Sequence, residues 1–338
     1  MNALRYAFSG DGVGTVMTDN PGKSYSRLNR SIVLTPKDCV RLRSHLLHLP
    51  FSETEVDWPS GIFHGDCMAL ALALPQQSID LLILDPPYNL NKTFNGRRFN
   101  RQSVQEYTDW LDGVLRSLIP LLKDTATVYI CGDWFSSPSI FAIATEHLIV
   151  RNRITWEREK GRGAKANWKN ASEDIWFCTV SDRYTFNLEA VKQRRRVLAP
   201  YRDSQGQPRD WQTTEDGSFR DTYPSNLWTD ITIPFWSMPE NTLHPTQKSE
   251  KLLAKLLLAS SNAGDLVLDP FLGSGTTTVT AKKLGRRYWG IDIAEDYCLF
   301  AARRLELADT EPTIQGWVDG VFWERNTFAQ QQSKKAVD

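Results

Sequence analysis

No stretch of the 338-residue chain is apolar for the ~18 residues needed to cross a bilayer. The beginning also lacks the charged start and apolar run of an export signal, so the expectation is a cytoplasmic protein with no membrane contact. Cysteine is scarce. Cys39, Cys67, Cys131, Cys178 and Cys298 are odd in number, scattered and without CxxC spacing, which excludes a disulfide framework or a zinc knuckle and predicts reduced thiols and no bound metal. Net charge is missing as well. Forty Lys and Arg balance forty Asp and Glu, which argues against a chain that binds polyanions over its whole surface. No internal repeat is found at a fixed period.

What is present is a globular composition, 41% hydrophobic, enough for one large α/β domain or two ordinary ones. Charge is uneven locally: between Arg151 and Arg196, twelve Lys and Arg face six acids. Residues 1–58 read as an N-terminal extension, rich in Gly, Asn, Asp and Ser up to about Ser31 and then carrying one amphipathic helix. Thr35 is its N-cap, Pro36 its first residue, and apolar spacing carries it towards Pro50. From Gly61 short apolar runs alternate with helical patterns, the signature of a mostly parallel sheet with crossover helices. "GIFHGD", "IDLLILD", "TATVYICGD", "IWFCTV", "GDLVLD" and "RYWGIDI" read as strands. "QEYTDWLDGVLRSLIPLL", "PTQKSEKLLAKLLLASS" and the segment opened by "GSGTTT" read as helices. The pattern fails between Glu189 and Asn241, where Arg, Asp, Gln, Pro and aromatics follow no period; an insertion of this length in a compact protein is usually functional. The divisions expected are 1–58, 59–188, the insertion 189–241, 242–310, and a tail 311–338.

Two strand endings carry the chemistry. In "VLDPFLGSGTTTVTAKKLG" a strand ends in Asp269 and Pro270, passes through Phe271, and turns at Gly273, Ser274 and Gly275 into a helix beginning at Thr276. Glycines let backbone pass close to a ligand, and the turn aims free N–H groups at the carboxyl end of the sheet, where open α/β sheets bind ligands. The loop lacks the Lys of a phosphate-cradling motif and the third glycine of the dinucleotide fingerprint. Seventeen positions beyond Gly275, Asp292 ends the next strand at the spacing of a ribose-binding acid. Asp66, in "HGDC", is a further strand-end acid able to accept from an exocyclic amine; a helix cap is the plainer use for either. The second ending is "DPPY". Pro86 and Pro87 hold Asp85 extended and donate no N–H, so the carboxylate and nearby carbonyls form an acceptor edge for an amino group, with Tyr88 as a flat face. These residues alone indicate a nucleoside-like ligand beside an amine-binding edge.

"DPPY" together with "DPFLGSGTT" resembles the amino-group DNA methyltransferases. The order, acceptor motif, insertion, "HPTQK" and then glycine loop, resembles their circularly permuted beta group, over roughly Gly61 to Leu307. The resemblance implies a Rossmann-like class I methyltransferase fold with an irregular target-recognition insertion. It implies S-adenosylmethionine as cofactor and methylation of N6 of an adenine flipped out of double-stranded DNA. Matched position by position, Asp85, Pro86, Pro87 and Tyr88 would be catalytic. Asp66, His244, Pro245, Thr246, Lys248, Asp269, Pro270, Phe271, Gly273, Ser274, Gly275, Thr276 and Asp292 would hold the cofactor. A cognate restriction endonuclease acting on the same site, and a monomer or homodimer, are compatible with this reading. Cytosine N4 is the alternative target, although Asp in place of Ser at the head of the motif favours adenine. A non-catalytic DNA-binding relative is the other. No cysteine lies in a motif suited to a covalent intermediate. The basic region and the insertion are the expected DNA surface. "KQRRR" is equally readable as a solvated helix face, Asn226, Trp228 and Trp236 as core or contact, and Lys92 or Phe94 is expected beside DNA.

Overall fold

The structure, a computed structural model, describes residues 29–49, 58–94, 97–158, 166–197, 201–214, 217–235 and 237–324. Most of the N-terminal extension, part of the basic region, Trp236, the end of the tail and the side chains of Lys92 and Phe94 lie outside the described set.

Helix α1 (Pro36–Arg43) starts as its sequence predicts: Thr35 Oγ1 accepts from the Asp38 N–H while the Asp38 carboxylate accepts from the Thr35 N–H, a reciprocal cap. It stops well before Pro50. Beyond Ser44 the chain leaves helical geometry because Leu47 pairs with Phe63 at the sheet edge, its N–H donating to the Ile62 carbonyl at 2.7 Å. There follow β1 (Gly61–His64), α2 (Cys67–Ala71), β2 (Ile79–Leu84), a hairpin of β3 (Lys92–Phe94) and β4 (Arg97–Phe99), α3 (Val104–Leu118), β5 (Leu122–Gly132), α4 (Ser137–His147), β6 (Ile149–Glu157) and β7 (Ser172–Thr179). The insertion contributes β8 (Gln193–Arg196), β9 (Gln212–Thr214), β10 (Gly217–Thr222) and β11 (Leu227–Trp228). The second half adds α5 (Glu250–Ser260), β12 (Leu266–Asp269), α6 (Thr276–Lys283), β13 (Arg287–Asp292), α7 (Glu295–Thr310), β14 (Trp317–Val318) and β15 (Val321–Trp323).

Eight strands form the main sheet in the order β1-β13-β12-β2-β5-β7-β6-β11. All neighbours pair parallel except β7, which runs antiparallel to both β5 and β6. The central strands are buried on both faces, as continuous apolar runs such as "LLIL" require. Alternation along them then assigns the layers. Leu82, Leu84, Val128 and Ile130 face α3 and α4, whereas Leu81, Ile83, Tyr129 and Cys131 face α5. Helices on both faces make this the doubly wound α/β architecture expected, entered with the "DPPY" half first.

The segments set apart as insertion and tail share a second sheet, in the order β14-β15-β8-β10-β9. β15 pairs parallel with β8, and Phe322 is fully buried against the α5 leucines. "KQRRR" is therefore no helix face; it supplies β8 in that sheet, with Gln193 buried and Arg194 paired to Asp221 at 2.8 Å. β11 belongs instead to the main sheet, where exposed Asn226 donates from its amide to the Arg153 carbonyl, and Trp228 is core, its indole N–H donating to the Ser225 carbonyl.

Candidate active site

Four acids sit at the carboxyl ends of neighbouring parallel strands: Asp66 just past β1, Asp292 at the end of β13, Asp269 at the end of β12 and Asp85 just past β2. The sheet places them side by side although more than two hundred residues separate the first from the last in sequence.

The glycine turn runs between Asp269 and α6. Gly273 has φ +53° and Gly275 φ +80°, conformations that exclude a Cβ without strain; a Cβ at Gly275 would also collide with that of Ala301. Asp292 anchors the turn, accepting from the Gly273 N–H and the Ala294 N–H, each at 2.8 Å. Asp269 is buried, and it accepts from the Phe271 N–H at 3.1 Å. Burial pushes its carboxyl up to about 7, against a hydrogen bond from Thr277, and the neighbouring charges of Asp85 and Asp292 push the same way. Asp66 is used as an N-cap: Oδ1 accepts from the Met68 and Ala69 N–H groups at 3.0 Å, leaving its other oxygen outside the cap.

"HPTQK" lies across this turn as a loop. Ser249, not Thr246, caps α5. The His244 ring packs edge-on against Tyr297 at 4.4 Å, and its Nε2 stands 3.1 Å from where a Gly273 Cβ would be. The Thr276 hydroxyl donates to the Lys248 carbonyl at 3.1 Å, tying loop to loop, whereas Pro245 is exposed. Behind them Arg304 donates to the Ser274 carbonyl, Thr276 Oγ1 and Glu250, so the turn rests on a buried charged pair.

"DPPY" is held as rigidly as its prolines imply. The Tyr107 hydroxyl donates to the Pro87 carbonyl at 3.1 Å, and buried Asn89 binds Gln102 through both ends of its amide. Tyr88 turns its hydroxyl inward, donating to Asp85 Oδ1 at 3.0 Å with Glu173 Oε2 at 3.3 Å. The Lys248 Nζ donates to Asp85 Oδ2 at 2.6 Å and to the Tyr88 hydroxyl at 3.1 Å, with Glu173 at 3.5 Å. Burial works against the Lys248 ammonium, but Asp85 and Glu173 facing it more than offset that and hold its pKa above the ordinary lysine value. Arg158 pairs with the other oxygen of Glu173. Glu173 and Arg158 carry no sequence signal: the first lies within β7, the second beyond β6, and only the antiparallel pairing of those strands brings them here. Cys131 lies beside the cluster, but burial drives its thiol far up and leaves no thiolate for covalent chemistry.

This donor set fits a nucleoside bearing positive charge. The turn offers backbone N–H groups at the N-terminus of α6, and Asp269 and Asp292 supply negative charge, part of it in a buried carboxyl that a cation would relieve. A doubly wound sheet with one reversed strand, a glycine turn and an adjacent acceptor edge defines an enzyme of the class I methyltransferase fold. The comparisons with known proteins agree. The DNA methylase family with N6 and N4 members matches residues 79–303. The chain is 35% identical over 254 residues to the DNA adenine methyltransferase YhdJ of Escherichia coli, spanning 73% of this chain and 83% of that one. It is 33% identical over 236 residues to the Type II methyltransferase M.HpaI of Haemophilus parainfluenzae, spanning 69% and 70%. Among solved structures it resembles the cytosine-N4-specific PvuII DNA methyltransferase, with a TM-score of 0.56 at 17% identity over 75% of this chain and 91% of that one. It also resembles the M1.HpyAVI complex with S-adenosylmethionine, with a TM-score of 0.50 at 23% identity over 72% and 98%. The chain belongs to the DNA methylase family, whose methyl donor is S-adenosylmethionine.

Proposed function

We propose that this enzyme methylates N6 of an adenine flipped out of double-stranded DNA. The observation that carries the reading is the meeting of the Asp85 acceptor edge and the glycine turn at one end of the sheet, on adjacent strands β2 and β12. The Gly273–Thr276 turn and Asp292 would hold the nucleoside part of S-adenosylmethionine, and Asp269 would favour its positive charge. When bound, the cofactor supplies an electrophilic methyl group on a sulfonium.

The chain's own task is to aim a weak nucleophile. An adenine amine has its lone pair delocalised into the ring. Asp85 and the Pro86 carbonyl accept its two N–H groups, which favours a pyramidal nitrogen whose lone pair points away from the acceptors. The prolines fix the backbone that carries both acceptors, which restricts the direction from which the amine can be held. The base must leave the duplex to reach the edge. Its unstacking, a few kcal/mol, is offset by stacking on an aromatic face such as Tyr88, of order 1–3 kcal/mol. Lys248 stays charged and has no lone pair, so it is not the proton acceptor. Asp at the head of the motif favours adenine over cytosine, and the adenine methyltransferase YhdJ is among the relatives.

The second sheet and its flanks are the proposed DNA surface. Arg194, Arg209, Arg220 and Trp211 line a cavity of about 350 Å³ there. Among the described residues no helix is long and apolar enough to cross a membrane. The proposed setting is the cytoplasm, as monomer or homodimer. The Type II name of the relative M.HpaI supports a restriction-modification role with an endonuclease of the same specificity. Tritiated methyl transfer to unmethylated DNA, followed by nucleoside analysis, tests the reading. N6-methyladenine is expected; N4-methylcytosine would redirect it, and no incorporation would overturn it.

A further inference from the structure

Each carboxylate oxygen of Asp85 already accepts from a donor of the protein's own. Oδ1 accepts from the Tyr88 hydroxyl at 3.0 Å and Oδ2 from the Lys248 ammonium at 2.6 Å. Lys248 thus occupies the acceptor with an N–H donor of its own, in a cluster where its side chain is 9% exposed and that of Glu173 5%.

Two consequences follow if the amine enters while Lys248 stays. The carboxylate shares its acceptor capacity with a charge-assisted bond, the stronger kind, so its pull on the amine is weakened. As the methyl bond forms, the nitrogen also becomes positive beside a fixed ammonium, and in a buried site like charges at such range are costly. Lys248 therefore has to leave Asp85, and a buried ammonium leaves only for another anion. The structure supplies one. Glu173 Oε2 lies 3.5 Å from Nζ, on β7, with its other oxygen held by Arg158. A small rotation of the lysine tip exchanges Asp85 for Glu173 without exposing the charge.

We propose that Lys248 is a displaceable stand-in for the target amine, and that Glu173, held by Arg158, is the positioning residue that receives it when the base enters. This rests on the amine-methylation reading above. It gives Glu173 a task, and it explains why the lysine after "HPTQ" reaches the catalytic edge. Empty, the carboxylate is neutralised and held in place; on target entry, it is released.

The test is single-turnover methyl transfer to whole-genome-amplified DNA, with sinefungin binding measured in parallel on the same proteins. Glu173→Gln strands Lys248 on Asp85, and the transfer rate is expected to fall about tenfold or more while sinefungin affinity stays within about threefold. Adding Lys248→Met removes the stranded ammonium, so the double variant is expected to be at least about threefold faster than Glu173→Gln alone, a non-additivity that lost packing does not produce. Should Glu173→Gln not fold, Glu173→Asp keeps a counter-ion for Arg158 while drawing the carboxylate back from Lys248, and the same fall and rescue are expected. A Glu173 variant at the wild-type rate, or a double variant no faster than its single, overturns the exchange. Wild-type protein that methylates no DNA overturns the methylation reading itself, which separates the two failures.

Discussion

Asp85 is the residue on which the chemistry turns, and its neighbours show why it cannot be replaced cheaply. It accepts from Tyr88 and Lys248 at once and is followed by two residues with no N–H. Asp85→Ala is expected to lower methyl transfer at least about 10²-fold, as loss of one preorganised polar group does, and to leave cofactor affinity nearly unchanged. Isothermal titration beside the tritium assay measures both. Asp269 makes a different prediction. Its folded carboxyl is raised to about 7, so between about pH 4 and 7 the folded protein holds a proton that the unfolded chain has released. Its contribution to stability is present at low pH and is lost as pH rises through that window. Glu240, also raised to about 7 first by burial and then by the charge of Glu250, acts in the same direction. Asp269→Asn should flatten the slope and make the cofactor-free protein more stable above pH 7, by an amount of the order of a few kcal/mol at about 1.4 kcal/mol per pKa unit. Urea midpoints of both proteins from pH 5 to 8 decide it.

At the scale of elements, the site is a set of terminations. Strands β1, β2, β12 and β13 each hand over to an acid, a proline pair or a glycine at the same edge, because parallel strands share an end. The turn from β12 into α6 tolerates least. Gly275→Ala puts a Cβ at φ +80° and within 2.8 Å of the Ala301 backbone, so α6 and α7 must separate. A loss of about 2 kcal/mol or more is expected in chemical denaturation, with cofactor affinity falling alongside. Elements with clean local signals were readable in advance. The Thr35 cap, the apolar face of α3 and the "LVLD" strand all form where residue spacing puts them. α1 ended early because Leu47 was drawn into a pairing with β1 that no helical period announces.

For the whole molecule, the second sheet is what joins sequence-distant parts. The tail strands β14 and β15 complete the insertion's sheet, and Lys251 of α5 bonds both Asp230 and the Trp323 carbonyl, so insertion, tail and cofactor half share one buried junction. Nearby Lys255 is brought down to about 8, by burial first, among Trp228 and Phe322. Phe322→Ala is expected to cost about 3–5 kcal/mol, the usual loss for a fully buried phenylalanine, with a lower midpoint in guanidinium unfolding.

The sequence alone determined the parts whose physics is local: the alternation that makes a doubly wound sheet, the prolines that stiffen Asp85, the glycines that turn a strand into a helix, and the order in which these motifs come. Tertiary structure decided what depends on which strands lie side by side. Lys248 meets Asp85 across 163 positions, and Glu173 reaches Tyr88 across 85. Neither pairing leaves a trace in spacing, because a contact made through the sheet depends on strand order and register, and those are settled only when the whole core packs.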